Sequence, residues 1–445
     1  IALTPEQDMR SAFLIEMNDE IGCFWSESRG FNYDIYFQRL DNDGNIQMQP
    51  GGIEMIDGSG DDYVMAVVPS NDDKYFMFWV EDAWPAAKLM YTKIDFDGNV
   101  EIGWNPNGNN LSTVGKDARN LEIEIIDEEN GLLAVWTQSN LSGTSILPTD
   151  IYAQVIDWNG NIAFDAGGVP VTQADNDQIN FDFALNDAKD KAMLVWEDYR
   201  NGQNYEIIGQ VLDLENGALI NDPVQFTNAL NDSLNNYNPV ITNVMQNEYF
   251  VIWEDSRGYI NEDPLLINGV DLYGAGFKIG SGLTTPINGI PICIAYHKQQ
   301  DVNITHHVDE EFFLDWIDYR SSGKEDLANY YGRTIMKAEL LSNNPSCYDC
   351  ELPEEFSLKP AYPNPFNGSI IFEYEVPSSE AIEFAIYDIK GRKVMDKLIL
   401  PGFGGKYKVN WDGKDINGNI VSSGIYFYNF STSSTIAKGK ITYIK

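Results

Sequence analysis

Basic side chains are scarce. The 445 residues carry 29 Lys and Arg against 68 Asp and Glu, a formal net charge of −39, and a field of that sign repels phosphate backbones and excludes nucleic acid as a partner. Histidine is nearly absent: His297, His306 and His307 are the full set, and no Ser-His-Asp arrangement or histidine metal triad can be assembled from them at a recognisable spacing. No run reaches the roughly 18 to 20 apolar residues of a membrane helix, so no membrane insertion is expected. No basic segment followed by an apolar stretch opens the chain, and the first residue is Ile1. A mature chain whose targeting segment has been removed starts this way, as a shortened one would. What is present is apolar: 43% hydrophobic and 13% aromatic residues with 22% charged, the make-up of a packed globular protein and not of an acidic disordered tail.

The charge is uneven. Residues 352–445 hold 11 basic and 10 acidic side chains, a net of +1, which leaves 29 − 11 = 18 basic and 68 − 10 = 58 acidic, or −40, for residues 1–351. This step coincides with the segment Pro345-Ser-Cys-Tyr-Asp-Cys350 and Leu352-Pro-Glu-Glu355 and marks a domain boundary. The expected division is a first domain over 1–345, a linker over 346–355 and a second domain over 356–445.

The first domain repeats. Aromatic-rich strands end at Trp25, Trp79, Trp136, Trp196, Trp253 and Trp316, at gaps of 54, 57, 60, 57 and 63 residues. An acidic turn bearing arginine follows four of them: Ser26-Glu-Ser-Arg29, Glu197-Asp198-Tyr-Arg200, Glu254-Asp255-Ser-Arg257 and Ile317-Asp318-Tyr-Arg320. The second and third repeats depart, with Val80-Glu-Asp82 and Thr137-Gln-Ser139. An alternating strand comes next, Asp34-Ile-Tyr-Phe-Gln-Arg-Leu-Asp41 or Asp150-Ile-Tyr-Ala-Gln-Val-Ile-Asp157, then a turn such as Asp41-Asn-Asp-Gly-Asn45, where Gly and Asn supply positive φ. On the fourth repeat the strands are expected at 179–186, 191–199, 205–213 and 223–228. Four short antiparallel strands make one propeller blade, and six repeats averaging (316 − 25)/5 = 58.2 residues fill the region. The fold class is therefore all-β, a six-bladed β-propeller with a second, smaller β domain after it. Outermost strands read Gly168-Val-Pro-Val-Thr-Gln173 or Gly289-Ile-Pro-Ile-Cys293, and nothing similar follows Leu340. Ile1-Ala-Leu-Thr4 with Pro5-Glu-Gln-Asp8 aligns with Val169-Pro-Val-Thr172 and Ala174-Asp-Asn-Asp177, so the amino-terminal strand is expected to complete the last blade and remove its open edge.

From residue 361 the pattern changes to seven or so short alternating strands between Gly, Asn and Pro turns, as in a small β-sandwich. It carries Tyr362-Pro363-Asn364-Pro365-Phe366-Asn367, Tyr387-Asp388-Ile-Lys-Gly391-Arg392, Trp411-Asp412-Gly413, Gly424-Ile-Tyr426 and, near the end, Lys440. As a set these motifs closely resemble the C-terminal type A sorting domain of cargo exported by the type IX secretion system, itself similar to the Ig-like domain of flagellar hook-capping proteins. That resemblance implies an Ig-like β-sandwich, export across two membranes of a Bacteroidota-like or related bacterium, recognition by the type IX secretion machinery, and delivery to the cell surface or medium. In that family the tail is usually removed after export; a permanent second domain is the alternative.

The remaining chemistry has two readings at each point. The arginines could ring one face as a binding site, or each could fork onto the carboxylate of its own turn, Glu27, Asp198, Asp255 or Asp318. The Asp-Xaa-Asp-Gly-Asn turns could hold loosely bound Ca²⁺, but they lack the later ligands of a calcium loop and suit hairpins; no cofactor is required. Cys347 and Cys350 lack a second CxxC or nearby His for zinc and suit a local disulfide, while Cys23 and Cys293 fall in strands as buried thiols. Asp232-Ser-Leu234 matches a short O-glycosylation pattern. Carboxylates are too abundant for any pair to signal a glycosidase. The expected function is a secreted, non-enzymatic binding or structural protein, an adhesin, scaffold or self-assembling subunit with a surface glycan or protein ligand. A polysaccharide hydrolase using carboxylates of the propeller channel is the alternative.

Overall fold

The computed structural model describes residues 8–56, 58, 60–142, 145–228, 235–259, 270–294, 298–308, 311–319, 328–340, 356–376, 382–399, 405–416, 418–432 and 435–445. Expectations for residues 1–4, Asp232, His297, Arg320, the linker 346–355 and the Cys347–Cys350 pair fall outside them.

Strands dominate, and each repeat forms its own small antiparallel sheet. The first holds β1 (Met9–Met17), β2 (Glu20–Glu27), β3 (Asp34–Leu40) and β4 (Ile53–Ile56), hydrogen-bonded in that order. The second holds β5 (Asp61–Pro69), β6 (Tyr75–Ala83), β7 (Ala86–Ile94) and β8 (Asn109–Asn110), and the third β9 (Asp117–Asp127), β10 (Gly131–Ser142), β11 (Ser145–Ile156) and β12 (Val169–Pro170). In the fourth, β13 (Gln178–Leu185), β14 (Lys191–Asp198) and β15 (Glu206–Asp213) lie within a residue of expectation at each end, while β16 (Leu219–Gln225) begins upstream of Pro223. The fifth comprises β17 (Asn236–Met245), β18 (Glu248–Asp255), β19 (Asp271–Lys278) and β20 (Gly282–Leu283), with β21 (Ile290–Cys293) also on β19. The sixth has three strands among the described residues, β22 (Gln299–Val308), β23 (Glu311–Asp318) and β24 (Asn329–Met336). Cys23 and Cys293 are buried free thiols.

The chain divides into two compact units, residues 1–251 with 276–287, and residues 252–275 with 288–445. In the first unit, consecutive sheets pack face to face through shared cores. Phe24 and Phe37 of the first sheet meet Met77 and Trp79 of the second; Phe78 and Tyr91 of the second meet Leu132 and Trp136 of the third; Val135 and Ile151 of the third meet Leu194 and Trp196 of the fourth. A sheet whose two faces are both apolar needs a neighbour on each side, which is why the strands read as near-continuous hydrophobic runs. The third strand of each complete sheet is accordingly well buried, as in β7, β15 and β19. β24 differs: Ile335 alone is buried, and Tyr330 is 80% exposed.

In the second unit, residues 357–443 add β25 (Ser357–Leu358), β26 (Ile370–Val376), β27 (Ile382–Tyr387), β28 (Lys393–Ile399), β29 (Gly405–Trp411), β30 (Gly424–Ser431) and β31 (Ile436–Tyr443). They form two sheets, β25-β26-β29 and β28-β27-β30-β31. Phe372 and Tyr374 of one and Phe384, Tyr428 and Phe430 of the other share a single core, with ring centroids 4.5 Å apart for Phe384 and Phe430 and 4.8 Å for Phe372 and Tyr428.

Candidate functional site

The tryptophan turns are clamps inside each sheet. The residue two past the tryptophan points back beneath the indole, because side chains alternate along a strand. Trp25 Nε1 donates to Glu27 Oε2 at 2.9 Å, Trp196 to Asp198 Oδ2 at 2.8 Å, Trp253 to Asp255 Oδ2 at 3.1 Å and Trp316 to Asp318 Oδ2 at 3.0 Å. The same buried carboxylates take the arginines. Arg29 Nη2 lies 2.7 Å from Glu27 Oε2, Arg200 Nε and Nη2 lie 2.7 and 2.6 Å from the two oxygens of Asp198, and Arg257 pairs with Asp255. Arg29 and Arg257 also donate to the carbonyls of Gly51 and Asn288, both at 2.6 Å, and lie 3.7 Å over the rings of Tyr36 and Tyr273. These two guanidinium groups thus tie their own strand to the third and to the start of the outermost strand. Where the repeat departs, so does the clamp. Glu81 takes Lys88 at 2.8 Å, while Gln138 bonds Thr113 and leaves the Trp136 indole N–H without a partner.

The indoles also rest on glycines. Gly52, Gly108, Gly168 and Gly289 all have positive φ, and a methyl group on them would fall 2.7, 2.2, 2.4 and 2.4 Å from the rings of Trp25, Trp79, Trp136 and Trp253. Only glycine meets both conditions.

A second recurring element joins neighbouring sheets and was not anticipated from the sequence. A residue just before the third strand or within its first half donates its N–H to the side chain that opens the next sheet: Tyr33 to Asp61 at 2.9 Å, Ala87 to Asp117 at 3.0 Å, Thr149 to Asp177 at 3.0 Å and Tyr205 to Asn235 at 2.9 Å. The carbonyls of Tyr33, Tyr205 and Val270 accept from Asp62, Asn236 and Gln299 at 2.7, 3.0 and 2.8 Å. The available signal was the acid or amide standing just ahead of each first strand.

Several carboxyls near these seams are held above the ordinary carboxylate range. Burial, followed by the charge of Glu81, pushes Asp62 up to about 7. Its Oδ2 accepts from Gly58 at 3.1 Å, and its Oδ1 has no partner. Glu122 and Glu124 on β9 keep contact with solvent, but the surrounding protein replaces enough of their hydration to hold both at about 7. Asp182 on β13 adds its charge to both and is itself raised by burial to about 6, as is Asp150. The Asp-Gly-Asn turns spend their first carboxylate locally: Asp41 Oδ1 accepts from the backbone N–H of Asp43 and Asn45 at 3.0 and 2.8 Å, and Asp157 binds Asn159 and Asn161 in the same way. No three His, Cys, Asp or Glu side chains are grouped to hold a metal ion among the described residues.

In the tail, the Tyr-Pro-Asn-Pro-Phe segment fastens the last strand. Phe366 N donates to Thr442 O at 3.0 Å, Ile444 N to Phe366 O at 2.8 Å, and Asn364 accepts from Thr442 N at 2.9 Å while donating to Lys440 O at 3.2 Å. The Phe366 ring packs on Trp411 and Tyr443 with centroids at 5.6 and 4.9 Å. Tyr362 donates to Glu373 at 2.5 Å, Arg392 Nε to Asp388 at 2.7 Å, Trp411 Nε1 to Lys414 O at 2.7 Å and Tyr426 to Ser422 O at 2.7 Å. Gly391 and Gly413 sit at positive φ, Tyr387 is half-buried, and Asn367, Asp412 and Lys440 are exposed.

Residues 360–444 match the family described as the secretion system C-terminal sorting domain, and such a domain marks its bearer for export to the cell surface or beyond it. No helix among the described residues is long and apolar enough to cross a membrane. No curated protein matches the chain. Among solved structures it is similar to PorZ of Porphyromonas gingivalis, described as an essential bacterial surface component of the type IX secretion system, at 11% identity and a TM-score of 0.35 over 98% of this chain and 51% of that one; the chain thus spans about half of that protein. It is also similar to FlgD of Xanthomonas campestris, described by its role in hook capping, at 26% identity and a TM-score of 0.15 over 20% of this chain and 68% of that one. A third likeness is to a GH93 α-L-arabinofuranosidase of Fusarium graminearum, at 11% identity and a TM-score of 0.34 over 76% of this chain and 93% of that one. The functional reading rests on the chain's own residues and on the sorting-domain match.

Proposed function

We propose that the chain is a non-enzymatic binding protein of the cell surface or extracellular medium, in which a six-bladed propeller over residues 1–345 presents the ligand and an Ig-like sandwich over 356–445 engages the type IX secretion machinery. The observation that carries this reading is the pair formed by the sorting-domain match and the run of six sheets, the first five joined by one repeated side-chain clasp and the sixth by the bond from Gln299 N to Val270 O. Closure follows the same rule. Asp8 stands ahead of β1 as Asp61 stands ahead of Asp62, and the uncovered β24 is the strand that residues 1–4 would cover. Adhesion or assembly would then use the loops at the rim of the ring, with Ca²⁺ at most loosely held. The test is incubation of the full chain with chromogenic glycosides and soluble polysaccharides: binding without turnover supports the reading, and turnover contradicts it.

A second reading draws on Glu122, Glu124 and Asp182. Carboxyls poised near neutrality are what a glycosidase needs as general acid. Turnover abolished by Glu124→Gln would establish the hydrolase.

A further inference from the structure

The first three sheets bring aromatic faces and fixed polar groups together on one edge. Tyr33 and Tyr63 pack across the first seam, tilted by 38° with centroids 5.4 Å apart, and the Arg10 guanidinium lies 4.8 Å over the Tyr33 ring. Asp8 accepts from the hydroxyl of Tyr33 and from Arg10. Asp61, which holds Tyr33 N, pairs across β5 and β6 with Asp82, and Asp82 is gripped through both oxygens by Arg119 at 3.1 and 3.2 Å. Just beyond Asp82, the β6–β7 hairpin turns at Trp84, which is 87% exposed, and the β2–β3 loop lifts Phe31 fully into solvent. The hydroxyl of Tyr63 feels Asp61, Arg10, Tyr33 and Asp82 together.

Leaving two large aromatic side chains in water forgoes the burial that Trp25, Trp79, Trp136 and Trp196 of this unit obtain. The groups set beside them are polar, unlike those of the apolar patches that dock a protein core or a lipid surface. Carboxylates, hydroxyls and guanidinium groups alternate with them, already oriented by their own ion pairs. Flat C–H faces bounded by hydroxyl edges, as in a pyranose ring, complement such a surface. The −40 of residues 1–351 disfavours polyanions.

We propose that Tyr33, Tyr63, Trp84 and Phe31, with Arg10 and the Arg119-held Asp82, form a subsite for an uncharged oligosaccharide. The inference rests on the reading of the chain as a binding protein and names its ligand class.

The test is affinity electrophoresis of the full chain through gels containing laminarin, xylan, galactomannan, dextran or alginate, with wild type, Trp84→Ala, Trp84→Phe and Phe31→Ala compared at matched thermal stability. At least one neutral polysaccharide retards the wild type, Trp84→Ala weakens that binding by about fivefold or more, as for an interface anchor, and Trp84→Phe retains most of it. Retardation by no neutral polysaccharide, retardation by alginate alone, or equal retardation of Trp84→Ala overturns the subsite. Equal retardation leaves the binding protein standing, whereas shortening of the polysaccharide during the run removes the non-enzymatic reading instead.

Discussion

The backbone of Tyr33 is held at both ends by the next sheet: its N–H donates to Asp61 Oδ1 at 2.9 Å and its carbonyl accepts from Asp62 N at 2.7 Å. One residue of the first sheet thereby fixes the register of the second. Because the contact recurs with Ala87, Thr149 and Tyr205, the stacking of successive sheets is a property of hydrogen bonding as well as of apolar packing. Asp177→Ala, which removes the acceptor of Thr149, is expected to cost about 1–3 kcal/mol, read as a lower denaturant midpoint at unchanged slope.

Asp198 accepts from the Trp196 indole and from both donors of the Arg200 fork while its side chain is fully buried. Asp198→Ala leaves the buried indole N–H without its acceptor and the partly exposed Arg200 without its partner, and is expected to destabilise by about 2–3 kcal/mol. Arg200→Lys keeps the charge and loses the fork, with a smaller cost of about 1–2 kcal/mol. Thermal denaturation of the two variants checks the ranking; equal effects would contradict a shared clamp.

Gly168→Ala places a methyl group 2.4 Å from the Trp136 ring at a φ of 78°. Overpacking and left-handed strain together are expected to cost about 2–4 kcal/mol. Gly115→Ala has a similar φ but open space around it, so it should cost clearly less.

Stability should fall as pH rises from about 4 to 8. Asp62, Glu122 and Glu124 near 7 and Asp150 and Asp182 near 6 lie above the ordinary 3.8 or 4.5 of their types. The folded state therefore binds more protons than the unfolded one over that window, and unfolding becomes easier as they are lost. Below about 4 the trend reverses, because carboxylates such as Asp41, lowered first by the Asn45 side-chain hydrogen bond, lose their contribution on protonation. Thermal melts at pH 5 and 8 check this, with Asp62→Asn raising the melting temperature at pH 8 and leaving it nearly unchanged at pH 5. A melting temperature that rises from pH 5 to 8 contradicts it.

The six tryptophans announced the sheets because each indole is buried, with a glycine beneath it or a carboxylate two residues on in its own repeat, a local demand visible in one stretch of chain. The strands of the fourth repeat were readable for the same reason, except β16, where Asn221 adopts positive φ and lets pairing begin ahead of Pro223. The inter-sheet clasps were hidden because an Asp before a strand has many uses and its partner lies 28 to 30 residues away in the sequence. The exposed Phe31 and Trp84 were equally silent, since aromatic content alone does not say which rings face water. The tail motif was legible because Tyr362–Asn367 and Trp411–Gly413 are short, distinctive runs, and the structure packs their Phe366 and Trp411 together with Tyr443.

Hydrogen–deuterium exchange along β24 tests ring closure most directly. If residues 1–4 complete the sixth sheet, those amides of 330–335 that point away from β23 are protected in the full chain at concentrations where it is monomeric, and that protection is lost when residues 1–4 are deleted. Exchange at β24 that is fast in both chains, or unaffected by the deletion, would contradict the closed six-bladed ring.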